Sequence, residues 1–240
     1  MTTLARITIA FLLALILSSC AFDINFGEGK KGNGVVAQET REVTEEFTVV
    51  SASEGLDVYV TQAKEFSIEV EADENIIELI GTDIKNGKLR IHAIENIGRA
   101  TKNIYVSLPE VTALESSSGA DLIVKNMIET EKINLDASSG SDLEVTLSAD
   151  IVNADASSGA DIKLSGQTNI FMADASSGSD IKARELLAKE CDANASSGAD
   201  ITVNVSKSLT ADASSGADIS YTGDATVQKR KSASGSVHKY

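Results

Sequence analysis

The sequence predicts an all-β protein, a parallel β-solenoid of about six to seven coils of roughly 19 residues, preceded by an irregular β lead-in. Three observations predict it. An octapeptide, Asp155-Ala156-Ser157-Ser158-Gly159-Ala160-Asp161-Ile162, recurs almost letter for letter along the second half of the chain. Its glycines, Gly119, Gly140, Gly159, Gly178, Gly198, Gly216 and a degenerate Gly235, stand 21, 19, 19, 20, 18 and 19 residues apart. Between them the residues alternate with period two and show no helical period.

The alternation assigns the faces. Val152, Ala154, Ala156, Ser158, Ala160, Ile162 and Leu164 share one parity and are expected inside; Asp155, Ser157, Gly159, Asp161 and Lys163 are expected outside. The next repeat agrees, with Phe171 to Ile181 inside at every second position, Ser177 among them. Stacking then aligns Leu122, Leu143, Ile162, Ile181, Ile201 and Ile219 as a core spine, and Leu114, Leu135, Ala154, Ala173, Ala193 and Ala211 as a second column. With only Ala and Ser inside near each glycine, the coil should be thin there, and Ser158→Leu should overpack it.

The outward face is acidic. Two residues after each glycine stand Asp121, Asp142, Asp161, Asp180, Asp200 and Asp218; four residues before stand Glu115, Asp136, Asp155, Asp174, Asn194 and Asp212. At a rung spacing of roughly 4.8 Å these form two ladders with a Ser and a Gly column between them. Neighbouring carboxylates repel by about 1 kcal/mol in water. Backbone N–H groups, Lys163 and Lys182, bound cations or a basic partner are the available offsets. These ten aspartates are the candidate ligand or cation face.

The chain opens with Arg6, an apolar run from Ile7 to Leu17, and Leu17-Ser18-Ser19-Cys20. That reads as a lipoprotein signal peptide over 1–19, with Cys20 lipidated; the run is too short to span a bilayer as a helix. Residues 20–42, with Gly27, Gly29, Gly32 and Gly34, read as a flexible tether. The glycines follow no strand and lack a Gly-Lys-Ser/Thr ending, which excludes a phosphate loop. Residues 43–110 form the N-terminal lead-in, with strand patterns such as Leu56-Asp57-Val58-Tyr59-Val60, a hairpin turn at Asn86-Gly87 and a short helical turn within 75–80. Pro109, the only proline, marks the join to the solenoid repeats and cap over 111–240. Counting from Gly235 puts Gln228 and Arg230 at core positions and Lys231 and Val237 at acidic ones. Such a polar last coil caps the stack, while Lys229, Arg230 and Lys231 could also serve as a docking patch.

The run Val106-Ser107-Leu108-Pro109-Glu110-Val111 followed by Ser117-Ser118-Gly119-Ala120-Asp121 resembles the bacterial family "putative auto-transporter adhesin, head GIN domain". Asp57-Val58-Tyr59-Val60-Thr61-Gln62 and Gly87-Lys88-Leu89-Arg90-Ile91 fit it too, and the likeness covers roughly 45–225. The resemblance implies an all-β, solenoid-like fold on cell-envelope proteins, often lipoproteins of the outer membrane. It brings no functional residues with it.

Composition narrows the function. The formal charge is −15 and becomes −16 without Arg6, which opposes binding to nucleic acid or an anionic surface. Besides Cys20 only Cys191 remains, so no internal disulfide can form, and its position among Val152, Phe171 and Leu209 marks a buried thiol. The paired carboxylates repeat identically on every rung, whereas a catalytic pair needs environments that push two pKa values apart. No Trp is present and aromatics are 4%, which leaves few platforms for a polysaccharide-acting enzyme. His92 and His238, the only histidines, are expected outside the regular array, so no Ser-His-Asp triad or zinc cluster is supported. Calcium is the one cofactor the ladders suggest, as hard oxygen ligands, although the glycine-rich nonapeptide of calcium-binding solenoids is absent. An ice-binding face would carry Thr ladders, and this face is charged. The expected protein is a non-catalytic, lipid-anchored envelope protein with a binding or adhesion face for a protein or glycan surface. A passive structural role is the alternative.

Overall fold

The computed structural model describes residues 29–230 and 234–240. The stretch expected as a signal peptide, Cys20 and Lys231 lie outside the described residues. Seventeen strands run in chain order: β1 (Val36–Arg41), β2 (Val49–Ala52), β3 (Asp57–Gln62), β4 (Ser67–Asp73), β5 (Ile80–Lys85), β6 (Lys88–Ala93), β7 (Lys102–Leu108), β8 (Ala113–Ser117), β9 (Asp121–Val124), β10 (Ile128–Ser138), β11 (Asp142–Ala156), β12 (Asp161–Ala175), β13 (Asp180–Ala195), β14 (Asp200–Ala213), β15 (Asp218–Thr222), β16 (Thr226–Lys229) and β17 (Ser236–Lys239). The only helical piece among the described residues is a single 3-10 turn, Ile77–Leu79. This is a parallel β-solenoid of about seven turns at a spacing near 19 residues, as the sequence predicts.

The long strands stack in parallel. Asp142 to Ala149 of β11 pair with Asp161 to Thr168 of β12, and Ile151 to Ala156 with Ile170 to Ala175. In β11 the inward parity slips by one between those halves: Leu143, Val145, Leu147 and Ala149 are buried on one side, Val152, Ala154 and Ala156 on the other. Every coil therefore adds a strand to each of two walls around a shared apolar interior.

The spine is continuous and dry. Leu122, Leu143, Ile162, Ile181, Ile201 and Ile219 are in register and at most 1% exposed. Val58 and Ile104 extend it at one end, and Val237 at the other. A fully buried aliphatic side chain contributes about 1.5–3 kcal/mol by leaving water, so this column stabilises the stack along its whole axis.

The repeat glycine sits in a tight turn. Ser158 and Gly159 both have positive φ, +54° and +72°, and the Ala160 N–H donates to the Ser157 carbonyl at 3.2 Å. Positive φ at both central residues is the primed geometry that suits twisted strands. A Cβ at Gly159 would meet nothing within 4 Å, so backbone conformation and not space selects glycine. Successive turns stack, the Gly159 N–H donating to the Ser177 carbonyl at 3.2 Å. This corrects the inward placement of Ser158 and Ser177. The left-handed pair swings them outward and both are exposed, while four residues of turn restore the parity at Ala160. Overpacking is therefore not what Ser158→Leu would do.

One further coil hides in the lead-in. Ser51-Ala52-Ser53-Glu54-Gly55-Leu56-Asp57-Val58 follows the octapeptide, and Glu54 and Gly55 repeat its turn with φ of +63° and +68°. The coil of β2 and β3 lies in parallel between that of β8 and β9 on one side and that of β6 and β7 on the other. Stacking order thus departs from chain order at this end. Antiparallel strands close it: β4 against β7, β1 against β4, and β5 against β6 across the Asn86-Gly87 turn.

Within the stretch expected as a tether, residues 29–42 are folded onto this cap. Lys30 bridges Ile97, and β1 pairs along its length with β4. The buried Asp73 carboxylate accepts the Gly34 and Thr101 N–H groups, each at 2.7 Å. Backbone and carboxylate bonds hold this segment, and neither leaves a hydrophobic pattern in the sequence.

The last coil is polar but shifted by one residue from the expected register. Lys229 pairs with Ala211 and Val237 with Ile219, so Val237 joins the spine and Ser236 takes the ladder position beside Asp218. Gly235 lacks the positive φ of the other repeat glycines, and a Cβ there would lie 2.1 Å from the Ala213 carbonyl oxygen. Close approach, and not turn geometry, requires glycine at that point.

Candidate functional site: two acidic ladders beside a serine-glycine ridge

The turn sets the surface. Ser158 and Gly159 and their equivalents form an exposed ridge, and a column of carboxylates flanks each side. On one side Asp121, Asp142, Asp161, Asp180, Asp200 and Asp218 lie in register, and Asp57 precedes them opposite Asp121. Seven aspartates therefore form one unbroken row. The sequence reading missed Asp57 because 64 residues separate it from Asp121; the Gly55-Leu56-Asp57-Val58 echo was the available signal.

On the other side Glu115, Asp136, Asp155, Asp174, Asn194 and Asp212 lie in register. Cations close both ends of this row. Lys88 pairs with Glu115 at 2.5 Å, and Arg230 reaches Asp192 at 3.0 Å and Asn194 at 3.3 Å. Inside the row, the Asn194 amide donates to Asp174 at 3.0 Å, which relieves one contact between like charges.

Electrostatic strain is visible along both rows. Burial, then Asp174 and Asp136, holds the Asp155 carboxyl above the usual carboxylate range. Burial, then Asp121 and Asp161, does the same for Asp142, with Lys182 opposing. Asp121, Asp136 and Asp200 are raised likewise, burial being the largest cause in each. Each carboxylate responds to its own row, consistent with two separate faces. Lys182 is the principal counter-charge on the first row, 2.6 Å from Asp161 and 3.4 Å from Asp180, and its ammonium pKa is raised first by the bond to Asp161. Lys163 instead turns to Glu144 at 2.9 Å.

A shallow groove follows each row. One is lined by Asp136, Asp155, Ser157, Asp174, Ser176 and Asp212; the other by Asp121, Asp142, Glu144, Asp161, Lys163 and Lys182. Among the described residues no three His, Cys, Asp or Glu side chains converge on one point where a metal ion could sit. Calcium takes six to eight oxygens, and a single file of carboxylates offers rows instead of cages.

Chemistry elsewhere is sparse. His92 lies 2.7 Å from Asp83. Contrary to expectation, His238 does fall in the array: it pairs with Ser220 in the last coil, Nε2 lying 3.1 Å from the Ser220 hydroxyl, and its other ring nitrogen faces Ser236 at 3.4 Å. A serine nucleophile needs a base that a third group orients, and that position holds a hydroxyl instead of a carboxylate. Cys191 is 5% exposed between Phe171 and Leu209. Burial, then Asp192, pushes its thiol up to about 12, so it is a packing residue. One feature near the first row escaped the sequence reading. Tyr59 and Tyr105 stack at 5.2 Å with Lys125 5.2 Å above the Tyr59 ring. The parallel phrases Asp57-Val58-Tyr59-Val60 and Asn103-Ile104-Tyr105-Val106 carry that pairing.

Fold and surface together define an acidic parallel β-solenoid with a serine-glycine ridge. The chain belongs to the family described as "Putative auto-transporter adhesin, head GIN domain", which matches residues 46–225. Its fold is similar to that of a putative adhesin from Bacteroides fragilis, with a TM-score of 0.80 at 19% identity over 88% of this chain and 100% of that one. A putative adhesin from Parabacteroides merdae gives 0.71 at 16% over 88% and 98%. A putative lipid binding protein from Parabacteroides distasonis gives 0.70 at 17% over 88% and 99%. No curated protein is similar to the chain in sequence.

Proposed function

We propose that this chain is a lipid-anchored cell-envelope protein whose acidic solenoid is a non-catalytic binding or adhesion module. The observation that carries the reading is the unbroken row of seven aspartates beside an exposed ridge. A stack that needed only stability would gain by replacing every second carboxylate, because each adjacent pair costs about 1 kcal/mol in water. Retaining the row on successive coils is what a periodic contact surface requires. The partner is a protein or glycan surface rather than nucleic acid. The names of the similar structures, two adhesins and a lipid binding protein, point the same way. Cys20 supplies the anchor.

The test is Asp161→Asn, Asp180→Asn and Asp200→Asn together, assayed for binding to cells, matrix proteins and glycans. Binding should fall while the fold is kept. Adhesion retained in the triple variant, with stability alone changed, would favour a passive structural role. Incorporation of labelled fatty acid, lost in Cys20→Ser, tests the anchor separately.

A further inference from the structure

The second acidic row changes sign where it runs into the lead-in. In register beyond Glu115 of β8 lie Ser51 of β2, then Arg90 of β6, then Asp83 of β5. Val50, Ala52, Leu89 and Ile91 are fully buried, so strand alternation turns Ser51, Lys88 and Arg90 to the outer face. Lys85 and Lys88 pair in the neighbouring column, on either side of the Asn86-Gly87 turn. A groove results, and its polar lining is Ser51, Asp83, Lys85, Asn86, Lys88 and Arg90. Three cations stand there against one carboxylate, on a chain with 36 acidic and 21 basic side chains.

The nearby acids are engaged elsewhere. Asp83 lies opposite Arg90, yet its carboxylate turns to Nε2 of His92 at 2.7 Å. Glu115 takes Lys88. Among the described residues Lys85 and Arg90 have no ion-pair partner, and the side chains of Ser51 and Asn86 make no hydrogen bond. Two exposed cations, a hydroxyl and an amide therefore face one groove with their donors unused.

We propose that this groove binds a phosphate group. The planar fork of Arg90 holds two of its oxygens and Lys85 supplies a second charge. Ser51 and Asn86 donate to what remains. A carboxylate offers two oxygens, whereas a phosphate monoester presents three terminal oxygens and up to two charges, which matches four donor side chains better. The acidity of the chain as a whole does not oppose this. Asp136, three strands from Arg90, is roughly 14 Å away at the rung spacing. Fields fade over about 8 Å at physiological salt, so the lining of the groove sets the local potential. The site is separate from the aspartates tested for adhesion and does not depend on that reading.

Isothermal titration of the full chain in non-ionic detergent with inorganic phosphate tests it. At about pH 7.5 and about 50 mM salt, one phosphate should bind with a Kd below about 10 mM, and acetate should bind at least about tenfold more weakly. Arg90→Gln with Lys85→Gln should weaken phosphate binding at least about tenfold; both side chains are exposed, and the thermal transition without phosphate checks that the fold is kept. Lys229→Gln with Lys239→Gln, in the last coil, should leave the affinity unchanged. No saturable binding of phosphate overturns the proposal. So does acetate binding as tightly as phosphate, an affinity that survives in the Arg90 and Lys85 variant, or one that is lost in the last-coil variant. Where phosphate binds as expected, vesicles identify its source. A preference for phosphatidic acid over phosphatidylcholine that the Arg90 and Lys85 variant lacks assigns the group to a lipid headgroup. Equal partition of both proteins assigns it to a soluble phosphate ester.

Discussion

Asp155→Asn isolates the cost of the ladders. Asp155 has Asp136 and Asp174 directly beside it in register, and no lysine or arginine is among the groups that shift it. At a rung spacing of about 4.8 Å each neighbour repels by about 0.9 kcal/mol in water. A Debye length of about 8 Å at physiological salt leaves roughly half, so the two together come to about 1 kcal/mol. The Asn194 amide already shows how an asparagine in this column donates to a neighbouring carboxylate. The variant should therefore be about 1 kcal/mol more stable at pH 7, or about 2–4 °C in Tm for a chain of this size.

The pH dependence follows from the raised carboxyl. The folded chain holds a proton on Asp155 at pH values where the unfolded chain has lost it, so the wild type gains stability as pH falls through the raised value. That gain is complete below the ordinary aspartate value of about 3.9. The advantage of the variant should shrink over the same interval and be small at about pH 3. It should shrink in about 1 M salt as well. Thermal and urea unfolding at both pH values and both salts would measure it. A destabilised variant at pH 7, or a gain that persists unchanged in acid, would refute the repulsion argument.

Three further outcomes are expected. Ile181→Ala removes a fully buried spine residue and should cost about 2–5 kcal/mol in urea unfolding, whereas a loss below about 1 kcal/mol would mean that the spine is not the core. Ser158 has φ of +54°, so Ser158→Val should lose about 1–2 kcal/mol while Ser158→Asn stays near neutral; equal effects would contradict the turn assignment. The Cys191 thiol, raised to about 12, should ignore a disulfide reagent at pH 8 until urea unfolds the chain, and prompt labelling of the native protein would show that it is not buried.

Much of this was legible before any coordinates. The near-constant glycine interval and the period-two alternation specify stacked coils, and the spine from Leu122 to Ile219 follows from them, because a one-residue slip would expose every apolar side chain. The errors have local causes. Ser158 reads as inward only if the backbone stays extended, and two consecutive left-handed residues break that assumption. Gly235 reads as a turn glycine by spacing, yet close approach to Ala213 explains it. Residues 36–41 carry almost no apolar signal because backbone pairing and Asp73 hold them.

The sequence by itself determined the coil, its period, the aliphatic spine and the acid on successive rungs, since those are local repeats that stacking merely multiplies. Only the tertiary structure decided that Asp57 completes the row, that Tyr59 meets Tyr105, and that the lead-in coil sits between two later ones. Those features bring together residues tens of positions apart through non-sequential strand pairing. Backbone hydrogen bonds make that pairing, and they are blind to the side chains a sequence displays.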